Sequence, residues 1–274
     1  MKKSLIWLVG ASNMAEDYAR VLIAQKKNFE VIGRGKKSAL KFHKNIGKLV
    51  KTGGLNINLK KYNAPEIAIV AVGIEELAKV TKDLINAGTK KILLEKPGGL
   101  NIREIRSLSF LANKKKAKVF IAYNRRFYQS VKKMKELISR DGKILSVNFE
   151  FTEWSHKILS KRRNIQVLKH WLIGNSSHVI DLVFHLCGRP KKWKSWHLGR
   201  LKWHPNSARF SGSGITSKGI MFSYLSDWQA PGRWGLEFNT KKHKFILRPV
   251  EDLKIVKSGS TLVKNVRINN KLDQ

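Results

Sequence analysis

The feature that most constrains this chain is a rhythm in its first half. Short apolar runs alternate with longer segments whose apolar residues recur every three or four positions. Ser4-Leu-Ile-Trp-Leu-Val9 is the first run, and Phe29-Glu-Val-Ile32, Ile67-Ala-Ile-Val-Ala-Val72, 91–94 and Val119-Phe-Ile-Ala122 follow. Compact runs of this kind read as strands covered on both faces, the condition of a parallel sheet. Met14, Tyr18, Val21 and Leu22 would share one helical face, with Glu16 and Asp17 in the first turn, where the helix dipole favours acids. Leu77, Val80, Leu84 and Ile85 form a second stripe closed by Gly88, and a third helix is expected over about 102–114. Strands alternating with helices predict an α/β fold, a doubly wound parallel sheet over residues 1–122.

The pattern changes after residue 122. Ser146–Thr152 alternates like a strand with one solvated face, and an amphipathic helix carries His178, Ile180, Asp181, Val183, Phe184 and Leu186 before ending at Gly188. Beyond 192, aromatic residues mix with Ser and Gly turns, as in Ser211–Thr216 and Lys218–Tyr224. These segments predict an α+β domain over 123–274, built on a mostly antiparallel open sheet. Its aromatic-rich faces are expected to pack on another subunit, making a homo-oligomer.

Bulk properties exclude several classes. The single cysteine, Cys187, rules out an internal disulfide framework and fits a reducing compartment. The Met-Lys-Lys start suggests a signal peptide, but Ser12-Asn13 and two acids follow the brief apolar run, so a first strand is the better reading. With no stretch long enough to span a bilayer, a soluble cytoplasmic protein without a membrane partner is expected. The net charge of +36 raises nucleic-acid binding. The excess is spread over both halves, with short clusters at Lys114–Lys116, 161–163 and Lys191-Lys192, and no nucleic-acid motif accompanies it. It reads as a solvated basic surface or, more sharply, as a field that attracts anionic substrates, cofactors or loosely an anionic polymer; charge alone does not make a nucleic-acid partner expected.

Two places in the first half suggest chemistry. The turn Gly10-Ala11-Ser12-Asn13-Met14-Ala15 sits between first strand and first helix, where a dinucleotide fingerprint belongs, so Gly10 to Met14 form the candidate phosphate cradle. Only Gly10 of the usual glycines is present; Ser12 would either bond a phosphate oxygen or crowd the turn. The second strand ends in Gly33-Arg34-Gly35-Lys36-Lys37 with no acid to hold ribose hydroxyls, so Arg34 and Lys37 favour the 2′-phosphate of NADP over NAD. The other place is Glu95-Lys96-Pro97 at a strand tip, where an open α/β sheet meets its ligand.

Four segments together resemble the Gfo/Idh/MocA family of glucose-fructose oxidoreductase, inositol dehydrogenase and their relatives. They are Gly10–Ala15, Ile92-Leu-Leu-Glu-Lys-Pro97, Ala122-Tyr-Asn-Arg-Arg-Phe127 and Gly174-Asn-Ser-Ser-His-Val-Ile-Asp-Leu182. The resemblance implies an N-terminal Rossmann domain and hydride transfer between NADP or NAD and a sugar, cyclitol or nucleotide sugar. It implies that Val72, Gly73 and Ile74 run along the cofactor, and that Glu95 and Lys96 lie beside the nicotinamide ribose and the substrate hydroxyl. It also brings Tyr123, Asn124, Arg125 and Arg126 to the site, and makes His178 the histidine of an Asp-x-x-x-His pattern. Here the acid is replaced by Gly174, with Asn175 one residue later as a group to orient substrate or imidazole.

Chemically, Lys96 and His178 are the candidate proton relay, because removing hydride from a carbinol requires its hydroxyl proton to leave. Arg125, Arg126, Lys161, Arg162 and Arg163 are candidates to clamp a phosphate or carboxylate. Trp154, Trp171, Trp228 and Trp234 are candidates to stack on a sugar or base, with 227–234 read as a loop at the rim. The histidines show no metal spacing, so no metal is expected. A sugar or nucleotide-sugar oxidoreductase is the leading reading. A non-catalytic dinucleotide sensor or scaffold is the alternative, and a polyanion binder the third.

Overall fold

The computed structural model describes residues 5–160 and 164–269. The chain divides into two compact units, Met1–Ala122 and Tyr123–Gln274.

In the N-terminal unit, β1 (Ile6–Val9), α1 (Asn13–Ala24), β2 (Phe29–Ile32), α2 (Lys36–Ile46), β3 (Val50–Lys51), α3 (Gly54–Lys61), β4 (Ile67–Val70), α4 (Leu77–Asn86), β5 (Lys91–Leu94), α5 (Ile102–Lys114) and β6 (Lys118–Ile121) follow in order. The sheet order is β3-β2-β1-β4-β5-β6, all parallel. This is the doubly wound order whose direction reverses between β1 and β4, opening a crevice at their C-terminal ends. Cores lie on both sheet faces, one around Trp7, Val70 and Leu94, the other around Leu8, Val31 and Phe42. Asn101 caps α5 by accepting from the Glu104 amide, while the Glu104 carboxylate accepts from the Leu100 amide.

One helix face differs from expectation. Met14 and Val21 are exposed, whereas Ala15, Ala19 and Leu22 are buried. The small alanines let α1 approach the sheet closely, and bulk at Met14 and Val21 is left to solvent. Glu16, expected as a dipole partner, is buried and accepts from Asn45 of α2. Helices α2 and α3 and the short β3 add to the expected elements; α2 is amphipathic but mostly polar, burying Ala39 and Phe42.

The C-terminal unit begins with a 3₁₀ turn at Asn124–Phe127 and then α6 (Gln129–Asp141), β7 (Ser146–Glu150), α7 (Ser155–Leu159) and α8 (Ile165–Lys169). A π-helical turn at Leu172–Ser176 leads into α9 (Ser177–Cys187). The strands β8 (Pro190–Leu198), β9 (Arg209–Thr216), β10 (Met221–Asp227), β11 (Gly235–Asn239), β12 (His243–Leu247), β13 (Lys254–Lys257) and β14 (Lys264–Asn265) complete it. Its sheet runs β14-β13-β12-β11-β7-β10-β9-β8 and is antiparallel except where β7 meets β10. Phe149, Phe222, Phe238 and Leu236 from the inner face pack with Val131, Met134, Leu182 and Val183 of α6 and α9. Cys187 is buried there, and burial pushes its thiol up to about 12. No described helix is long and apolar enough to cross a membrane.

Candidate active site

The N-terminal unit contains a cavity of about 620 Å³ at the C-terminal ends of β1, β2 and β4. Gly10, Ala11, Ser12, Arg34, Val72 and Gly73, all candidate cofactor residues, line it. Gly10 is required by packing as well as by its φ of +130°, because a Cβ there would overlap the Ala71 carbonyl. Ser12 neither crowds the turn nor caps the helix; its hydroxyl donates to the Ala71 carbonyl at 3.3 Å. The first amides of α1 are therefore left without a side-chain cap, the arrangement that binds an anion.

Sequence reasoning missed the other wall. Gly53 and Gly54 line the cavity, both at positive φ, and the Gly54 amide donates to the Gly33 carbonyl at 2.9 Å. The adjacent pair in Thr52-Gly-Gly-Leu55 was the available signal. Arg34 stands at the rim, 85% exposed, with Glu76 4.0 Å away. Lys37 lies in α2 and Ile74 beyond β4, both outside the cavity lining, as are Asn13 and Met14; Asn13 accepts from Lys41 at 3.0 Å. The cavity, the glycine turn and the uncapped helix start fit a dinucleotide.

Glu95 and Lys96 follow β5, and the Lys96–Pro97 peptide is cis. The Tyr18 hydroxyl of α1 donates to Glu95 Oε1 at 2.6 Å, tying the helix that starts at the glycine turn to this strand tip. Burial raises the Glu95 carboxyl pKa, against the opposing pull of the Tyr18 hydrogen bond and Lys96. Burial and the Glu95 charge likewise raise Tyr18. The pair keeps the phenol protonated and donating.

The remaining candidates belong to the C-terminal unit, where His178 is buried near the start of α9. Its ring meets Tyr123 edge-on at 5.8 Å and Trp234 at 6.0 Å. Burial raises the Tyr123 phenol. Arg126 Nε donates to Asp181 Oδ2 at 2.7 Å and Nη2 to Oδ1, a bidentate pair that commits Arg126 to α9 instead of leaving it free to clamp an anion. Arg125 stacks over Tyr128 at 4.5 Å, and Asn124 is exposed in the 3₁₀ turn. Lys161, Arg162 and Arg163 lie outside the described residues.

Gly174 lies in the π-helical turn 172–176 and His178 in the first turn of α9, which starts at Ser177. One expectation needs correction. Of the four candidate stacking tryptophans, Trp171, Trp228 and Trp234 are buried in the core, and Trp228 lies parallel to Trp203 at 5.5 Å. Only Trp154 is exposed. Trp171 before the π-helical turn and Trp228 and Trp234 at strand ends all pack into the core of the second unit.

The acid absent at position 174 is supplied to this neighbourhood from elsewhere. Glu153, just after β7 and only 2% exposed, accepts from Asn175 Nδ2 at 2.8 Å, Ser176 Oγ at 2.7 Å, Trp234 Nε1 at 3.1 Å and Arg233 Nη1 at 3.1 Å. Neither Glu153 nor Arg233 was singled out by sequence. No group of described residues could hold a metal ion.

Residues 5–123 match the model of an oxidoreductase family with an NAD-binding Rossmann fold. The N-terminal unit belongs to the Gfo/Idh/MocA oxidoreductase family. Among curated proteins no sequence match is found. Solved structures of the same fold include UDP-N-acetylglucosamine 3-dehydrogenase from Acidithiobacillus ferrooxidans, at 13% identity and TM-score 0.76, covering 99% of this chain and 85% of that one. A putative NADPH-dependent oxidoreductase from Desulfitobacterium hafniense has 15% identity and TM-score 0.81, covering 98% and 84%. Levoglucosan dehydrogenase, in complex with NADH and levoglucosan, has 15% identity and TM-score 0.79, covering 96% and 80%. At such identities the likeness establishes the fold, a Rossmann unit followed by a mostly antiparallel sheet.

Proposed function

We propose that this protein is an NAD(P)-dependent oxidoreductase acting on a carbinol or carbonyl carbon of a sugar or nucleotide sugar. What carries the reading is the N-terminal cavity, bounded by Gly10 to Ser12, Arg34 and Ala71 to Gly73 within the segment that matches an NAD-binding family. Fold relatives that act on UDP-N-acetylglucosamine and levoglucosan support the substrate class.

The bound dinucleotide accepts or donates the hydride. The α1 amides after Gly10 hold its pyrophosphate. Arg34 at the end of β2, where no carboxylate stands, gives NADP the advantage over NAD, although Glu76 draws on the same guanidinium. Glu95, fixed by Tyr18, accepts from ribose hydroxyls. Lys96 and His178 hold and move the proton of the substrate hydroxyl, which must leave as the hydride does. Tyr123, Asn175 and Trp154 surround the sugar. Trp196, Leu198, Ile215, Met221 and Leu225 are exposed on the outer face of the second sheet, and that face forms the homo-oligomer contact.

The test is a fluorescence titration with NADPH and NADH, followed by turnover on a panel of sugars and nucleotide sugars. Saturable binding is expected for at least one cofactor, and its absence for both overturns the reading. Lys96→Ala and His178→Ala should each lower kcat by about a hundredfold or more. Cofactor binding without turnover of any sugar would favour the sensor reading, which Gly174 in place of the acid supports.

A further inference from the structure

We propose that Arg233 is the anion-binding residue of the substrate site and that Glu153 is its positioning residue. This rests on the oxidoreductase reading above for the word substrate, and deepens it by assigning the ligand a carboxylate or phosphate group.

Arg233 is held on two sides. Its Nη1 donates to Glu153 Oε2 at 3.1 Å, and its guanidinium carbon lies 5.0 Å from the Trp154 ring and 4.8 Å from the Trp234 ring. Trp234 is itself fixed by donating Nε1 to Glu153 Oε1, and Trp154 Nε1 donates to the Gly232 carbonyl at 2.6 Å. A guanidinium has five N–H donors in a rigid fork. Only the Nη1 bond is made among the described residues, so the Nε and Nη2 donors remain, and the side chain is 40% exposed. That edge carries two parallel N–H groups, the geometry that meets a carboxylate or phosphate bidentately. Ordering the fork beforehand lowers the entropic cost of using it.

The surroundings favour an anion. Glu153 offsets the charge of Arg233, but Lys157 lies 5.6 Å from the Trp154 ring and Arg125 5.9 Å from the Trp234 ring, adding positive charge. Glu150, the other carboxylate of this corner, is engaged by Arg248 Nη1 at 2.7 Å. Glu153 differs from a surface partner in being buried with four donors from two chain segments, Asn175-Ser176 and Arg233-Trp234. Removing its charge frees Arg233 to swing on its flexible stem and loosens Asn175 at the same time.

Calorimetric titration of the protein in saturating NADPH with glucuronate, glucose 1-phosphate and glucose tests this. One of the two anions should bind about tenfold or more tightly than glucose, and which one does identifies a carboxylate or a phosphate as the group recognised. Arg233→Met should abolish that preference with NADPH affinity held within about twofold, and Arg233→Lys should restore only part of it, since an ammonium cannot bind bidentately. Glu153→Gln should reduce the ratio of anion to glucose affinity by about fivefold; a merely structural Glu153 would lower the melting temperature and leave that ratio alone. No anion preference in the unaltered protein, or an undiminished one in Arg233→Met, overturns the proposal. An anion preference that depends on Arg233 in a protein that binds neither NADPH nor NADH would overturn the oxidoreductase reading and leave the anion site standing.

Discussion

The two candidate regions are built from different materials. The N-terminal cavity is made of backbone: Gly10 pressed on the Ala71 carbonyl, the open amides of α1, and Gly54 bonded to the Gly33 carbonyl. The C-terminal cluster is made of side chains from the segment after β7, the π-helical turn and the segment before β11, converging on one buried carboxylate. A backbone site tolerates change in its neighbours but none in its glycines. A side-chain site has no such fixed point except its hub. The contrast predicts that damage in the first region removes binding, whereas damage in the second removes order before it removes chemistry.

The largest effect should come from Gly10→Val, which meets both the Ala71 carbonyl and a φ of +130°. It should cost about 3 kcal/mol or more and abolish cofactor binding, read by melting and by NADPH fluorescence. Wild-type affinity in that variant would break the backbone account of the cavity. Glu153→Ala comes next, since it leaves buried donors of Ser176 and Trp234 unanswered. A loss of about 3 kcal/mol in the C-terminal unit is expected, with NADPH binding intact. Parallel loss of both would erase the distinction between the regions.

Arg34→Asp sharpens the comparison at the cavity rim. Its charge reversal should weaken NADPH about tenfold more than NADH, and equal effects would remove the assigned preference. The smallest effect concerns pH. Burial raises the Glu95 carboxyl, so the folded protein holds its proton where the unfolded chain has released it. Stability from this group is therefore full below the unfolded carboxyl pKa and declines as pH rises through the folded one. Glu95→Gln should flatten that decline in melting temperature across the acidic limb, and an unchanged slope would show that Glu95 does not set it.

The parallel strands were legible because a buried strand announces itself as a short apolar run; β2 and β5 fall at the residues expected. Helices α2 and α3 were not, because α2 is mostly Lys, Asn and other polar residues that bury only Ala39 and Phe42. The glycine turn was read correctly in place, and the role of Ser12 was left open until its hydroxyl was seen on Ala71. Arg125 and Arg126 look equivalent in sequence, yet Arg126 is committed to Asp181 fifty-five residues later, and no local pattern records that. Glu153 was invisible for the same reason: one acid among nineteen, at an unremarkable strand end, with partners between 22 and 81 residues away.

The sequence by itself determined the sheet class of each half, the position of the glycine turn and the strand-end Lys96, because these depend on periodicity and on residues adjacent in the chain. Tertiary structure decided which tryptophans are core, that the chain before His178 takes a π-helical turn, and that Glu153 holds Arg233, Trp234 and Asn175 together. Those outcomes depend on burial and on contacts across long sequence separations. A carboxylate becomes a hub only where the fold removes it from water and brings donors to it.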